Sequence, residues 1–283
     1  MKLLIQSTLV TMLVLGLATG LFGFQRVADW GQINPQGSEK AEFAWSRLSY
    51  TTSFGGGGYG GFGGGYGGYG RRGGGTWSRD YPKADRQFLM ALNRLTRIQG
   101  RPTEQVVSLD NDEIYNYPFV YAVMVHTWTF SDDQAKRMRD YLLKGGFLMV
   151  DDFHGSNARD NEQGINEWEQ FTDSLSRVFP GRQVQDIPNS DAIFHTVSDL
   201  SERFQVPGAQ YFETGKTYEK GDTGKEPHWR AVRDDNGRIV VAIFHNLDLG
   251  DAWEVSDEPR YPEKWASLAY RIAVNYFIYD LSH

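Results

Sequence analysis

The chain has 283 residues and is 40% hydrophobic and 23% charged, a composition that supports a sizeable folded core and excludes disorder over its whole length. Lys+Arg 29 against Asp+Glu 36 leaves a net charge of −7. That balance opposes the counterion release that drives nucleic-acid binding, so nucleic acid is not an expected partner. Cysteine is absent, which excludes disulfides, thiolate metal sites, a cysteine nucleophile and a lipobox anchor.

Residues 1–24 carry Lys2 and then an uncharged run from Leu3 to Phe24, the pattern of a secretory signal peptide or a short N-terminal membrane anchor. Either reading expects export, to the periplasm or the periplasmic face of the inner membrane, with membrane attachment only if the segment is uncleaved. Residues 25–42 read as a polar tether, and 43–283 as a single domain with a Gly-rich insertion at 55–75. That tract interleaves Gly with Tyr59, Phe62, Tyr66 and Tyr69 and reads as an insertion without a core of its own.

From Phe43 onward, strand and helix patterns alternate. Phe43 to Tyr50 predicts a first strand. Ala84, Phe88, Leu92 and Leu95 predict a helix that ends near Gly100. Gln105 to Leu109 predicts a second strand, and the apolar run Phe119 to Val125 a strand buried on both faces. Ser131 with Gln134 predicts a capping box, Ala135, Met138, Tyr141 and Leu142 the buried face of the helix that follows, and Gly145-Gly146 its left-handed end. Phe147 to Val150 predicts the next strand, parallel to the one before it. Trp168, Phe171, Leu175 and Val178 mark a further helix, and Gln183 to Ile187 a short strand. Trp229 to Arg233 and Arg238 to Phe244 form a hairpin through Asn236-Gly237. Trp265 to Tyr276 marks a C-terminal helix. The expected fold is α/β, a three-layer sandwich around a mainly parallel sheet.

In such a sheet, ligands bind outside the carboxyl ends of the strands. Three apolar strands here end in polar residues: His126, then Asp151, Asp152 and His154, then His245 and Asn246. Three of the six histidines stand at these ends. The acids Asp248, Asp251 and Glu254, in a segment that also holds Trp253, either complete that site or belong to a surface loop covering the sheet edge. Carboxylate, imidazole and amide donors together suit a divalent metal, although no H-E-x-x-H or EF-hand spacing is present. Gly215-Lys216-Thr217 lacks both the upstream glycine and the strand of a phosphate-binding loop, and no G-x-S-x-G elbow occurs.

Phe43-Ala44-Trp45-Ser46-Arg47-Leu48-Ser49-Tyr50, Tyr81-Pro82-Lys83-Ala84-Asp85, Tyr117-Pro118-Phe119-Val120-Tyr121, Gly145-Gly146-Phe147-Leu148 with Asp151-Asp152-Phe153, and Gly250-Asp251-Ala252-Trp253-Glu254 follow one another in an order that resembles the bacterial domain of unknown function 4159 family. The resemblance runs from about Phe43 to the C-terminus. It implies a flavodoxin-like fold akin to class I glutamine amidotransferases. Those enzymes place a cysteine at a strand-to-helix elbow, whereas His126-Thr127-Trp128 stands at that kind of position here, so glutaminase chemistry is not expected.

The function expected from these residues is that of a non-catalytic module at the cell envelope, binding a small molecule or an envelope protein. The alternative is a metal-assisted hydrolase acting on an envelope component, with His126, Asp151, Asp152 and His245 as ligands or acid/base groups. Export is open to a direct check: a reporter fused after Ala41 is expected to be active only outside the cytoplasm, and cytoplasmic activity contradicts the reading of residues 1–24.

Overall fold

In this computed structural model, residues 41–52, 76–160, 162 and 164–283 are described. The expected leader and the Gly-rich tract lie outside the described residues.

Seven strands form one sheet. In chain order they are β1 (Ser46–Ser49), β3 (Gln105–Ser108), β4 (Phe119–Val123), β6 (Phe147–Asp151), β7 (Gln185–Asp186), β8 (His228–Arg233) and β9 (Ile239–His245), arranged β3-β1-β4-β6-β9-β8-β7. The first five positions run parallel, and β8 and β7 join antiparallel at one side. A separate ribbon pairs β2 (Thr51–Thr52) with β5 (Trp128–Thr129). The helices are α1 (Lys83–Leu95), α2 (Asp132–Leu143), α3 (Glu167–Val178), the single turn α4 (Tyr211–Thr214), α5 (Leu249–Glu254) and α6 (Glu263–Ser282).

Strand alternation sorts side chains between the two faces. Phe119, Tyr121, Val123, Phe147, Met149, Ala242 and Phe244 pack with α1, α5 and α6, whereas Val120, Ala122, Leu148, Val150 and Ile243 pack with α2 and α3. The result is the three-layer α/β sandwich with a mainly parallel sheet that the sequence predicts. Its first helix layer is the more aromatic. Trp45 is fully buried, with ring centroids 4.5 Å from Phe88, 5.1 Å from Phe119 and 5.4 Å from Tyr121.

Several expected boundaries hold. Ser131 and Gln134 make the reciprocal bonds of a capping box at α2. Gly145 takes φ 116°, and the Gly146 amide donates to the Tyr141 carbonyl, closing the helix end. The run at Phe119 behaves differently. Its strand stops at Val123 because Met124 takes φ 50°, and Val125–Thr127 form a 3₁₀ turn. The segment holding Trp253 is the helix α5, not an irregular loop, and its Trp is fully buried.

One ion pair lies within the core. Arg47 and Asp85 have no exposed side-chain surface and meet at 2.6 Å, and Asp85 also accepts from Trp45 Nε1 at 2.6 Å and Arg47 Nε at 3.1 Å. The Arg47 guanidinium lies 4.6 Å from the Tyr121 ring centroid. Removing one partner of such a pair leaves an uncompensated buried charge. Asp85→Ala is therefore expected to cost about 3–5 kcal/mol in urea unfolding, and the paired change Arg47→Met with Asp85→Leu much less. Equal losses in the two variants would contradict this account.

Candidate functional site

The parity of β6 decides where its last residue points. Phe147, Met149 and Asp151 alternate onto the α5 side, so the strand drives the Asp151 carboxylate into the buried layer. Its Oδ2 accepts three bonds, from Leu249 N at 2.7 Å, Gly250 N at 3.0 Å and Tyr121 Oη at 3.0 Å. Its Oδ1 is buried without a hydrogen-bond partner. Burial first, and the Asp152 charge second, push its pKa up to about 7.

Further carboxylates gather around it. Asp248 caps α5, accepting from Asp251 N at 2.8 Å, and Asp251 Oδ2 accepts from Ala209 N at 2.6 Å. The backbone makes room for them. A Cβ on Gly208 would meet Asp248 Oδ2 at 2.2 Å and Asp251 Oδ2 at 2.6 Å, and one on Gly250 would meet Asp80 Oδ2 at 2.8 Å. Asp80 stands just before α1 with φ 61°, and its Oδ2 is buried with no donor to accept from. Burial, then Asp251, Asp152 and Glu254, hold the Asp80 carboxyl well above the usual range, and burial with Asp251, Asp152 and Asp80 does the same for Asp248. Arg79 stands beside the cluster and answers this field: although burial works against its charge, Asp152, Asp80, Asp251 and Asp248 raise its pKa.

Three adjacent strand ends share one backbone device. Met124 after β4, Asp152 after β6 and Asn246 after β9 have φ 50°, 55° and 64°, a left-handed conformation that Asp and Asn adopt more readily than most residues. Asp152 is thereby turned toward His154, whose Nε2 lies 3.6 Å from Asp152 Oδ1. One donor atom each of Asp152, His154 and Asp248 lie within 4.8 Å of one another, as do one oxygen each of Asp80, Asp251 and Glu254.

A family model described as a domain of unknown function (DUF4159) matches residues 67–281. The chain belongs to that family. No curated protein matches it. The matched span takes in every carboxylate of the cluster, while β1 of this DUF4159 chain precedes it.

All the residues singled out in the sequence stand at the carboxyl edge, but on different faces of the sheet. Asp151, Asp152, His154 and Asp251 join the cluster, with Asp80, Asp248 and Glu254 beside them. His126 turns to the α3 side, its Nδ1 3.4 Å from Glu167 Oε2. Glu167 also accepts from His154 N at 2.7 Å and lies 3.6 Å from Lys220 Nζ. Burial lowers the His126 pKa to about 3, with Lys220 and His154 adding to the effect. His154 goes the other way, to about 9, because Glu219 and Asp152 outweigh its burial.

His245 and Asn246 belong to the scaffold. The ring of His245 lies 5.0 Å from Phe153, 4.8 Å from Trp168 and 5.4 Å from His228, and its Nε2 pairs with the Gly155 carbonyl at 3.0 Å. Burial lowers its pKa to about 3. Asn246 accepts from Gly155 N and donates to the Thr223 and Glu226 carbonyls, so both ends of its amide clamp two loops.

Two cavities lie apart from the carboxylates. One of about 110 Å³ is lined by Tyr50, Asp110 and Gln134. The other, about 500 Å³, lies at the opposite edge beside Tyr117, Tyr141 and Lys144.

The raised carboxyl pKa values have a sign that can be checked. An Asp whose pKa is higher folded than unfolded binds more protons when folded, so its contribution to stability falls as pH rises between the two values. For Asp151 that window runs from about 4 to about 7. The depressed pKa values of His126 and His245 act oppositely below about 6.5 in any variant that keeps both. In EDTA, Asp151→Asn, which retains an oxygen for the Leu249 and Gly250 amides, is expected to gain stability relative to the parent as pH rises from 5 to 8. A constant difference across that range would contradict the assignment.

Proposed function

We propose that this DUF4159 domain is a binding module whose carboxyl edge takes a divalent cation, with Asp152, His154 and Asp248 as its protein ligands. The observation that carries this reading is the convergence of those three donors beside a buried Asp151 Oδ1 that has no hydrogen-bond partner. Five aspartates, Asp80, Asp151, Asp152, Asp248 and Asp251, share this small region with Arg79. Burying like charges together is costly unless protons or a cation neutralise them. Both ring nitrogens of His154 are buried without hydrogen bonds; a cation would take the place of one ring proton, and one nitrogen with two carboxylate oxygens suits Mn²⁺ or Zn²⁺.

Binding stands ahead of hydrolysis because the two histidines a hydrolytic reading would use lie apart from the aspartates, His126 beside Glu167 on the α3 side and His245 on the Gly155 carbonyl. The three-layer order supports a relationship to flavodoxin-like and class I amidotransferase-like folds, and the lack of cysteine argues against glutaminase activity. The uncharged run at Leu3 to Phe24 supports a place at the cell envelope, where the ion could serve a small-molecule or protein partner.

A ligand that binds only the folded state stabilises it by about 2.7 kcal/mol at 100 times its Kd. Saturating Mn²⁺ at pH 7.5 is accordingly expected to raise the Tm of the full-length protein by about 5–10 °C, and EDTA to reverse it. Asp152→Asn, which keeps a residue tolerant of φ 55°, is expected to reduce the rise. No rise with Mn²⁺ or Zn²⁺ in the parent would contradict the proposal.

A further inference from the structure

Beyond the cation held by Asp152, His154 and Asp248, the geometry points to a second divalent cation at Asp80, Asp251 and Glu254, making the carboxyl edge binuclear. This rests on the reading of the first position as a cation site.

The second set is built by different elements. Asp80 is delivered by the turn before α1, Asp251 and Glu254 by successive turns of α5. One oxygen from each lies within 4.8 Å of the others, so a single ion could touch all three. Asp80 is 9% exposed, and its Oδ2, which has no hydrogen-bond partner, lies by the Gly250 Cα among Tyr121 Oη and Asp248 Oδ1. The same oxygen lies where a side chain on residue 250 would stand, so glycine there keeps the space beside it open.

Two cationic side chains stand nearby. Lys83, close enough to ease the charge on Glu254, reaches Asp257 at 2.9 Å in an exposed pair. Arg79 is near enough to Asp152, Asp80, Asp251 and Asp248 for their charges to raise its pKa. Neither makes an ion pair of 4.0 Å or less with Asp80, Asp251 or Glu254 among the described pairs. The competing arrangement is a proton shared between Asp80 and Asp251, which would hold the two carboxyls together with no metal. It assigns no part to Glu254, whose oxygen approaches the same point.

Chemistry separates the two positions. The first has a nitrogen donor and suits Mn²⁺ or Zn²⁺; the second is made only of carboxylate oxygens and suits Mg²⁺, Ca²⁺ or Mn²⁺. They are also close. Asp248 Oδ2, from the first set, and Asp251 Oδ2, from the second, converge on the spot a Gly208 side chain would fill. The two sets are therefore neighbours along one edge.

Mn²⁺ serves as the probe for both positions, with equilibrium dialysis for stoichiometry and electron paramagnetic resonance for coupling between ions, on the full-length protein at pH 7.5. The parent is expected to bind two Mn²⁺ with an exchange-coupled signal. Glu254→Gln and Asp80→Asn, the latter suited to φ 61°, are each expected to leave one uncoupled Mn²⁺ and to weaken the lost position at least tenfold. Asp152→Asn is expected to spare the position at Asp80. One Mn²⁺ in the parent, unchanged by Glu254→Gln and lost in Asp152→Asn, overturns the second position and leaves the first standing. Two ions in both the parent and Glu254→Gln place the second ion elsewhere and overturn it as well. One ion lost in Glu254→Gln but retained in Asp152→Asn overturns the first position and with it the binuclear edge. No bound Mn²⁺ overturns both.

Discussion

The carboxylate of Asp151 ties the functional edge together. Through one oxygen it accepts two amides from the start of α5 and the hydroxyl of Tyr121, linking the end of β6 to the strand beside it and to the helix that follows β9. The pairing holds α5 against the strand ends, and so sets the places of Asp248, Asp251 and Glu254. It also leaves a second carboxylate oxygen inside the protein without a partner. The anchor that organises the edge thus contributes to its unbalanced charge.

The three left-handed residues at Met124, Asp152 and Asn246 turn the chain abruptly as it leaves the sheet. At β6 and β9 the turning residue is Asp or Asn, which bear this conformation at modest cost, whereas Met124 bears it at more. Met124 N donates to the Asp151 and Asp152 carbonyls, so its strained turn is bonded to the neighbouring strand end. The same edge therefore supplies two kinds of polar group. Asn246 and His245 are spent on holding loops, while Asp152 and His154 are left facing other carboxylates.

Much of this layout is legible in the chain. Alternating strand and helix patterns, the capping box at Ser131 and Gln134, and polar residues at strand ends lead to the sandwich and to its carboxyl edge. Parity could have carried the reading further. Asp151 follows Phe147 and Met149 onto the α5 side, whereas His245 follows Val241 and Ile243 onto the α3 side, so their separation was implicit in the strand period. Asp80 was not legible as part of the site, because its place depends on a positive φ and a long-range approach to α5, neither of which leaves a periodic signal. Asp248 and Glu254 sat beside Asp251 in view, but only the helix formed there shows which carboxylates turn inward.

A crystal of the full-length protein soaked in Mn²⁺ at pH 7.5, with data collected for anomalous scattering, tests the central claim most directly. Anomalous density bounded by Asp152, His154 and Asp248 is expected. A well-ordered carboxyl edge with no such density, or with Mn²⁺ bound only at other surfaces, would contradict it.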